Sequence, residues 1–483
     1  MKAPTALAAV AACILSANHA STAAQGWQKH CFDPVAPPVV IGANWQLTGP
    51  AIDVDVPRAA RQLEVVRAEI NNTCGLRVAP GATGVPIVVL VIDNQTSVPR
   101  GAPVTRELIA AGAVAIVGGG NSNIAPPAAQ AAVEASIPFG ANQAAADTLS
   151  GCTAAELADP AVTKSATPIY GPGQCWDNRD LVFRTTATGN QWGGVAARYA
   201  RETHATLTTA AIVYRDDDFG RPNRDGFRDT FVELGGTVIG QAGFNSQTAT
   251  KEDFKNLLRT VTAGDPSLVA SNPNVARLKF LMQAYAELRD DPTWTAKPLN
   301  FDRITFVWTA TVTGGSYSDL SPAALSALVN QASSIQPAWD SSSAAFQKWF
   351  ALYRAFDPDA QPPASSFGMA AYDAMFIMAL AITAAGSTDG AAVAAKIREV
   401  TNPPGKCIYP GDWEKAFRRL AKGKDINYEG ALGSIDLDER GNPSGVAYGI
   451  FRFLPDGSTT LTGTFASAAQ QSVCDDKDDE DEV

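Results

Sequence analysis

The run Ala211–Phe227, AIVYRDDDFGRPNRDGF, decides how this chain is read. An apolar, β-branched stretch ends in three consecutive aspartates and passes at once into residues with helical spacing. TTAAIVY, 208–214, predicts a strand, and RDGFRDTFVELGG, 224–236, predicts a helix with Phe227, Phe231 and Leu234 on one stripe and a stop at Gly235 and Gly236. TVIG then opens another strand. Strand, turn, helix, strand is a β-α-β unit, because parallel strands need a long crossover and a helix supplies one.

Outward from this unit the alternation repeats. PPVVIGANWQLTGP reads as a first buried strand, AARQLEVVRAEI as a helix with Leu63, Val66 and Ile70 on one face, and VPIVVLVID as a strand covered on both sides. AVAIVGGG, APPAAQAAVEAS and IPFGAN give strand, helix and strand again, followed by LVFRTT and GGVAARYARET. The fold class is therefore α/β with parallel-sheet cores. At 483 residues the chain is too long for one core of usual size, so two lobes are expected. Between 150 and 180 the alternation stops in a Pro-, Gly- and Ala-rich stretch bracketed by Cys152 and Cys175, read as a stapled surface insertion. IQPAWDSSSAAFQ, 335–347, is a soft stretch suited to a crossing between lobes, and the residues from Tyr428 onward have hairpin character.

Composition narrows the function. Hydrophobic residues make up 46% and charged ones 18%, which suits a sizeable core. A net charge of -11 argues against nucleic acid, whose phosphates require clustered Lys and Arg. The N-terminus has one lysine, an apolar run and small residues, the pattern of a secretory signal over residues 1–24; VAAC at 10–13 offers the other reading, a lipid anchor on Cys13. Of seven cysteines, six then remain, and neighbours are the expected pairs: Cys31 with Cys74, Cys152 with Cys175, Cys407 with Cys474. With no C-x-x-C pair and only His30 and His204 beyond the signal, no metal site is expected. Met369–Gly386 is apolar but contains Asp373 and reads as a buried helix, whereas 468–483 is an acidic tail with nothing to bury.

Catalytic motifs fail one after another. VGGGNS lacks the third glycine of a dinucleotide loop, since Asn123 stands there. Asp218-Phe219-Gly220 comes without the other kinase motifs, and no G-x-S-x-G elbow or P-loop is present. No catalytic residue and no cofactor is assigned. Strand ends that give way to small polar or aromatic residues remain: GNSN with Asn121, Ser122 and Asn123; GANQ with Gln143; ATGNQW with Asn190 and Gln191; RDDDFG with Phe219; VWTATVTGG with Trp308. Open α/β sheets bind ligands at such ends.

In order and content these segments resemble the type I periplasmic solute-binding proteins, receptors of ABC importers typified by branched-chain amino-acid binding proteins. The likeness rests on residues 112–142, 182–199, 210–240, 370–382 and 424–453. It implies two Rossmann-like lobes joined by three crossings, with lobe 1 at 25–187, lobe 2 at 188–334, a return to lobe 1 at 335–424 and to lobe 2 at 425–467. It also implies a ligand cleft between lobes, a monomer, export to the periplasm or beyond, and delivery of a small molecule to an importer permease. Carried over by position, Ser122 is a hydrogen-bonding residue, and Gln143, Ala144 and Ala145 face a ligand carboxylate, although Ala145 lacks the usual hydroxyl. Gly189 stands where amino-acid binders carry an aspartate for the ammonium, so an α-amino acid ligand is not expected. Phe219 and Trp308 are expected to wall the pocket, and Asp216–Asp218 to cap the helix and pair with Arg215, Arg221 or Arg224.

Overall fold

The computed structural model describes residues 32, 35–49, 55–73, 75–79, 81–309, 312–313, 315–360 and 365–466. In lobe 1 five parallel strands lie in the order Ile87–Asp93, Val39–Trp45, Ala113–Gly118, Phe139–Ala141, Val182–Arg184. In lobe 2 the order is Thr237–Phe244, Thr209–Arg215, Leu268–Ser271, Thr305–Trp308, Ala332–Pro337, all parallel, extended by the antiparallel pair Ala447–Phe453 and Thr459–Ala466. Both sheets run outward from their first strand in two directions. Each therefore has a point where the chain reverses its order, and the crevice beyond the strand ends at that point is left uncovered by helices.

Those two points fall where the sequence turns polar. In lobe 1 the crevice follows Trp45 and Gly118, and Gly118, Gly119 and Gly120 all adopt positive φ there. A Cβ on Gly118 would lie 2.4 Å from the Asn44 carbonyl, so the glycines serve a tight backbone passage. In lobe 2 the crevice follows Arg215 and Ser271, which places Asp216–Asp218 at its mouth.

The helices Gly189–Thr203 and Gly220–Glu233 cover one face of the lobe 2 sheet and cross backbone against backbone. A Cβ on Gly193 would lie 2.0 Å from the Asn223 carbonyl, and one on Gly226 2.0 Å from that of Asn190. Phe227 and Phe231 stack at 5.5 Å beneath them, as the helical stripe predicts, while Leu234 ends the helix at the surface.

Several expectations are corrected. Ile87–Asp93 is an edge strand with only Ile87 fully buried, so its unbroken apolar run does not mean cover on both faces. The strand Ala332–Pro337 runs through the expected boundary at 334/335, and the crossing follows it, at 338–343. The expected return at 425 comes too early. Ile426–Gly430 pairs with Lys406–Ile408 and packs into the lobe 1 core, as do Ala431, Leu432, Ile435 and Leu437, so the chain crosses only over 438–446.

What holds this strand in lobe 1 is Asp373, wholly buried on the helix Phe367–Ala385. Its carboxylate accepts from the Tyr428 hydroxyl (2.7 Å), Ala431 N (2.8 Å) and Leu432 N (3.1 Å). Burial outweighs these bonds and pushes the Asp373 carboxyl up to about 7. The helix is buried from Met369 to Thr383, as its sequence suggests, and Gly386 closes it in the left-handed conformation.

Cys152 and Cys175 form the expected disulfide. Cys407 is also disulfide-bonded, to a partner outside the described residues. Cys31, Cys74 and Cys474, the signal segment with Cys13, and the acidic tail 468–483 likewise lie outside them.

Candidate functional site at the seam between the lobes

The two crevices face each other and touch. From lobe 1, Asn123 accepts the Asp218 N–H on its Oδ1 (3.2 Å), and its Nδ2 lies 3.5 Å from Asp217 Oδ2. Asp217 is the hub of the opposing loop. One carboxylate oxygen accepts from Phe219 N and Gly220 N at the helix start, and the other takes the Arg215 guanidinium (2.7 Å) and the Ser246 hydroxyl (3.0 Å). Burial alone would raise its pKa, but the charge of Arg215 and these donors hold the carboxyl below the usual range. Asp216 pairs at the surface with Arg221, and Arg224 turns instead to Asp225 and the Tyr214 ring. Within the aspartate run, Asp217 thus caps the helix and Asp216 and Asp217 take arginine partners, as read from the sequence, whereas Arg224 pairs outside the run.

A second contact lies deeper. Ser122, 3% exposed, accepts the Ala145 N–H on its Oγ (3.1 Å), and the Ala145 carbonyl accepts the Gly189 N–H of lobe 2 (2.7 Å). Beside it, Asp147 of lobe 1 accepts from Asn190 N (3.3 Å), so a lobe 1 carboxylate sits on the positive end of a lobe 2 helix. Burial raises Asp147 to about 6, opposed chiefly by the charge of Arg184. Arg184 is itself 1% exposed and lowered to about 10 by burial, with its guanidinium donating to the Ala144 carbonyl and Ser150 Oγ (both 3.2 Å). A side chain at Gly189 would meet Pro222 at 2.9 Å and the Ala145 carbonyl at 3.3 Å, which leaves no room for an ammonium-binding aspartate in this arrangement.

The expected site residues therefore separate. Ser122, Asn123, Ala145 and Asn190 meet across the seam, and Asn121 shapes its loop by accepting the Asn123 N–H. Ala144 is buried and contributes its carbonyl to Arg184. Phe219 packs edge-on against Trp192 at 5.5 Å with Arg215 over its ring. Gln191 is occupied: it completes a capping box with Thr188 and donates to the Pro443 carbonyl. Trp308 is corrected from pocket wall to core, wholly buried in lobe 2 and stacked on Phe306 at 5.0 Å, because its alternation along the strand turns it away from the helices at the seam.

Three amides stand out by having bonds unmade. Asn142, 1% exposed, has neither Oδ1 nor Nδ2 paired, Gln143 Nε2 is unpaired, and Asn223 Nδ2 is unpaired although its Oδ1 accepts from Thr309. Two of them follow the lobe 1 strand Phe139–Ala141, and the third opens the lobe 2 helix next to Pro222, which reaches Gly189. Leaving a buried polar group unpaired costs about 1–3 kcal/mol. Asn142 and Asn223 escaped the sequence reading, although Asn142 lay within the strand-end GANQ and Asn223 within the first turn after RDDDFG.

Two parallel-sheet lobes, three crossings and a polar seam at paired strand-order reversals define a type I periplasmic binding protein fold. The periplasmic binding protein family model matches residues 38–422, and the chain belongs to that family. Membership implies a place in the periplasm or outside the cell. Among solved structures it is similar to a leucine binding protein from Thermotoga maritima (16% identity, 88% of this chain and 98% of that one, TM-score 0.61). A second is an ABC transporter solute binding protein from R. palustris in complex with benzoate (16% identity, 91% and 99%, TM-score 0.59). In sequence it is 27% identical over 312 residues to the chemotactic signal transduction substrate-binding protein BasB of Halobacterium salinarum, covering 61% of this chain and 62% of that protein's length.

Proposed function

We propose that the chain is a non-enzymatic receptor that captures a small organic solute between its lobes and delivers it to an ABC-type importer. The observation that carries this reading is a set of buried amides with unpaired atoms, Asn142 and Gln143 just after the lobe 1 strand Phe139–Ala141, two residues from the Ala145–Gly189 contact, and Asn223 in the first turn of the lobe 2 helix beside Pro222. Buried amides are normally satisfied, and a solute rich in hydrogen-bond acceptors would satisfy these. Gly189 offers no acid to an ammonium, so the solute is not an α-amino acid held in the usual way; a buried ammonium without a carboxylate partner would lose several kcal/mol. The partial relative in chemotaxis supports a second reading, in which the same captured solute is presented to a signalling receptor.

Thermal unfolding with a panel of small carboxylates, including benzoate, and with leucine tests the capture. A bound solute at a hundred times its Kd stabilises by about 2.7 kcal/mol, and Ser122→Ala with Asn223→Ala should abolish that gain. Equal stabilisation of wild type and variant would place the binding site elsewhere.

A further inference from the structure

The insertion 150–180 takes no part in the seam, yet it grips one of the segments that join the lobes. We propose that it is a brace on the third crossing, with Arg440 as the positioning residue through which it sets the angle between the lobes; the consequence for capture rests on the receptor reading above.

Arg440 lies in the crossing 438–446 and is held from four directions. Its Nη2 pairs with Glu156 at 2.6 Å, its Nη1 donates to the Gly151 carbonyl at 3.0 Å, its guanidinium lies 4.9 Å from the Tyr170 ring centre, and its own carbonyl accepts the Gly151 N–H at 3.1 Å. All of these partners belong to the insertion. Glu156 and Tyr170 are far apart in sequence, and what presents them together is the fold of the insertion: three short strands, Thr163–Ser165, Tyr170–Gly171 and Gln174–Trp176, closed by Cys152–Cys175. Cross-linking a loop of this length removes much of its unfolded freedom, so the two partners are held ready.

The neighbours of Arg440 link the brace to both lobes. Asn442 accepts from Ser150 Oγ (3.2 Å) at the root of the insertion and the Gly441 carbonyl from Arg184 N (3.0 Å) in lobe 1, while the Pro443 carbonyl accepts from Gln191 on the lobe 2 helix (3.2 Å). That helix starts with Gly189 and Asn190, the residues clasped by Ala145 and Asp147. A crossing with freedom to pivot would have few such bonds. Here the brace, the crossing and the interlobe clasp form one continuous chain of contacts.

Amide hydrogen exchange on the ligand-free protein tests this. In Arg440→Ala the Gly151 amide should exchange at least tenfold faster, and so should Gly189 and Asp218, whose amides bond across the seam and touch neither Arg440 nor the insertion. Arg440→Lys, which keeps the charge without the fork, should restore part of the protection. Glu156→Gln should act in the same direction with a smaller effect, and serves if Arg440→Ala does not fold. Faster exchange confined to Gly151, with Gly189 and Asp218 unchanged in every variant that folds, would reduce Arg440 to a local packing residue and overturn the proposal. No solute is added, so a failure of the seam to bind one leaves this outcome unaffected.

Discussion

Asp373 and Asn142 are both buried polar residues of lobe 1, and they could hardly be treated more differently. The carboxylate of Asp373 receives three donors from a strand and loop more than fifty residues away. Asn142, 1% exposed, has none of its side-chain bonds made. Buried polar groups are normally paired, so an amide left wholly open beside facing strand ends calls for a partner from outside the fold. The first group holds architecture together; the second, under the proposed reading, is satisfied by a captured solute.

The sharpest way to break this contrast is to remove each group. Asp373→Ala strands the Tyr428 hydroxyl and two backbone amides and should cost about 3 kcal/mol or more in denaturant unfolding. A loss below about 1 kcal/mol would mean that the network is not structural. Acidity gives the next largest effect. The folded-state values of Asp373 and Glu69 are raised to about 7 and that of Asp147 to about 6, in each case first by burial. A raised carboxyl binds its proton more tightly folded than unfolded, so its stabilising share is present near pH 4 and lost as pH climbs through the folded value. Melting curves between pH 5 and 7.5 should therefore show stability falling by up to about 1.4 kcal/mol per pH unit per group. Asp373→Asn should flatten that slope, and an unchanged slope would show that Asp373 does not titrate there. Asn142→Ala is the smallest. It removes no bond and relieves two buried unpaired atoms, a gain of about 1–3 kcal/mol set against the packing lost, so apo stability should not fall, while any solute-induced gain in melting temperature should shrink.

The same contrast explains what could be read from the chain alone. Alternation of strand and helix, the Phe227–Phe231 stripe and the capping by Asp217 are local, written within a turn or two of each other, and all were legible. Residues 426–430 look like a return to the second lobe because their β pattern is local too, but the residue that keeps them in the first, Asp373, lies 55 positions earlier. Trp308 misled for a related reason: a large aromatic at a strand end suggests a pocket wall, and only the side of the strand it occupies tells otherwise. Asp147 with Arg184 and the clasp on Gly189 are properties of two lobes meeting, which no single segment encodes.

The backbone-to-backbone crossing at Gly193 and Gly226 fuses the two lobe 2 helices whose first turns carry Asn190 and Asn223. Backbone against backbone at both points leaves little room for one helix to slide past the other, so the pair should move as a single plank. Its two polar fingertips arrive and withdraw together, so a molecule held by both is let go in one movement and not by stages.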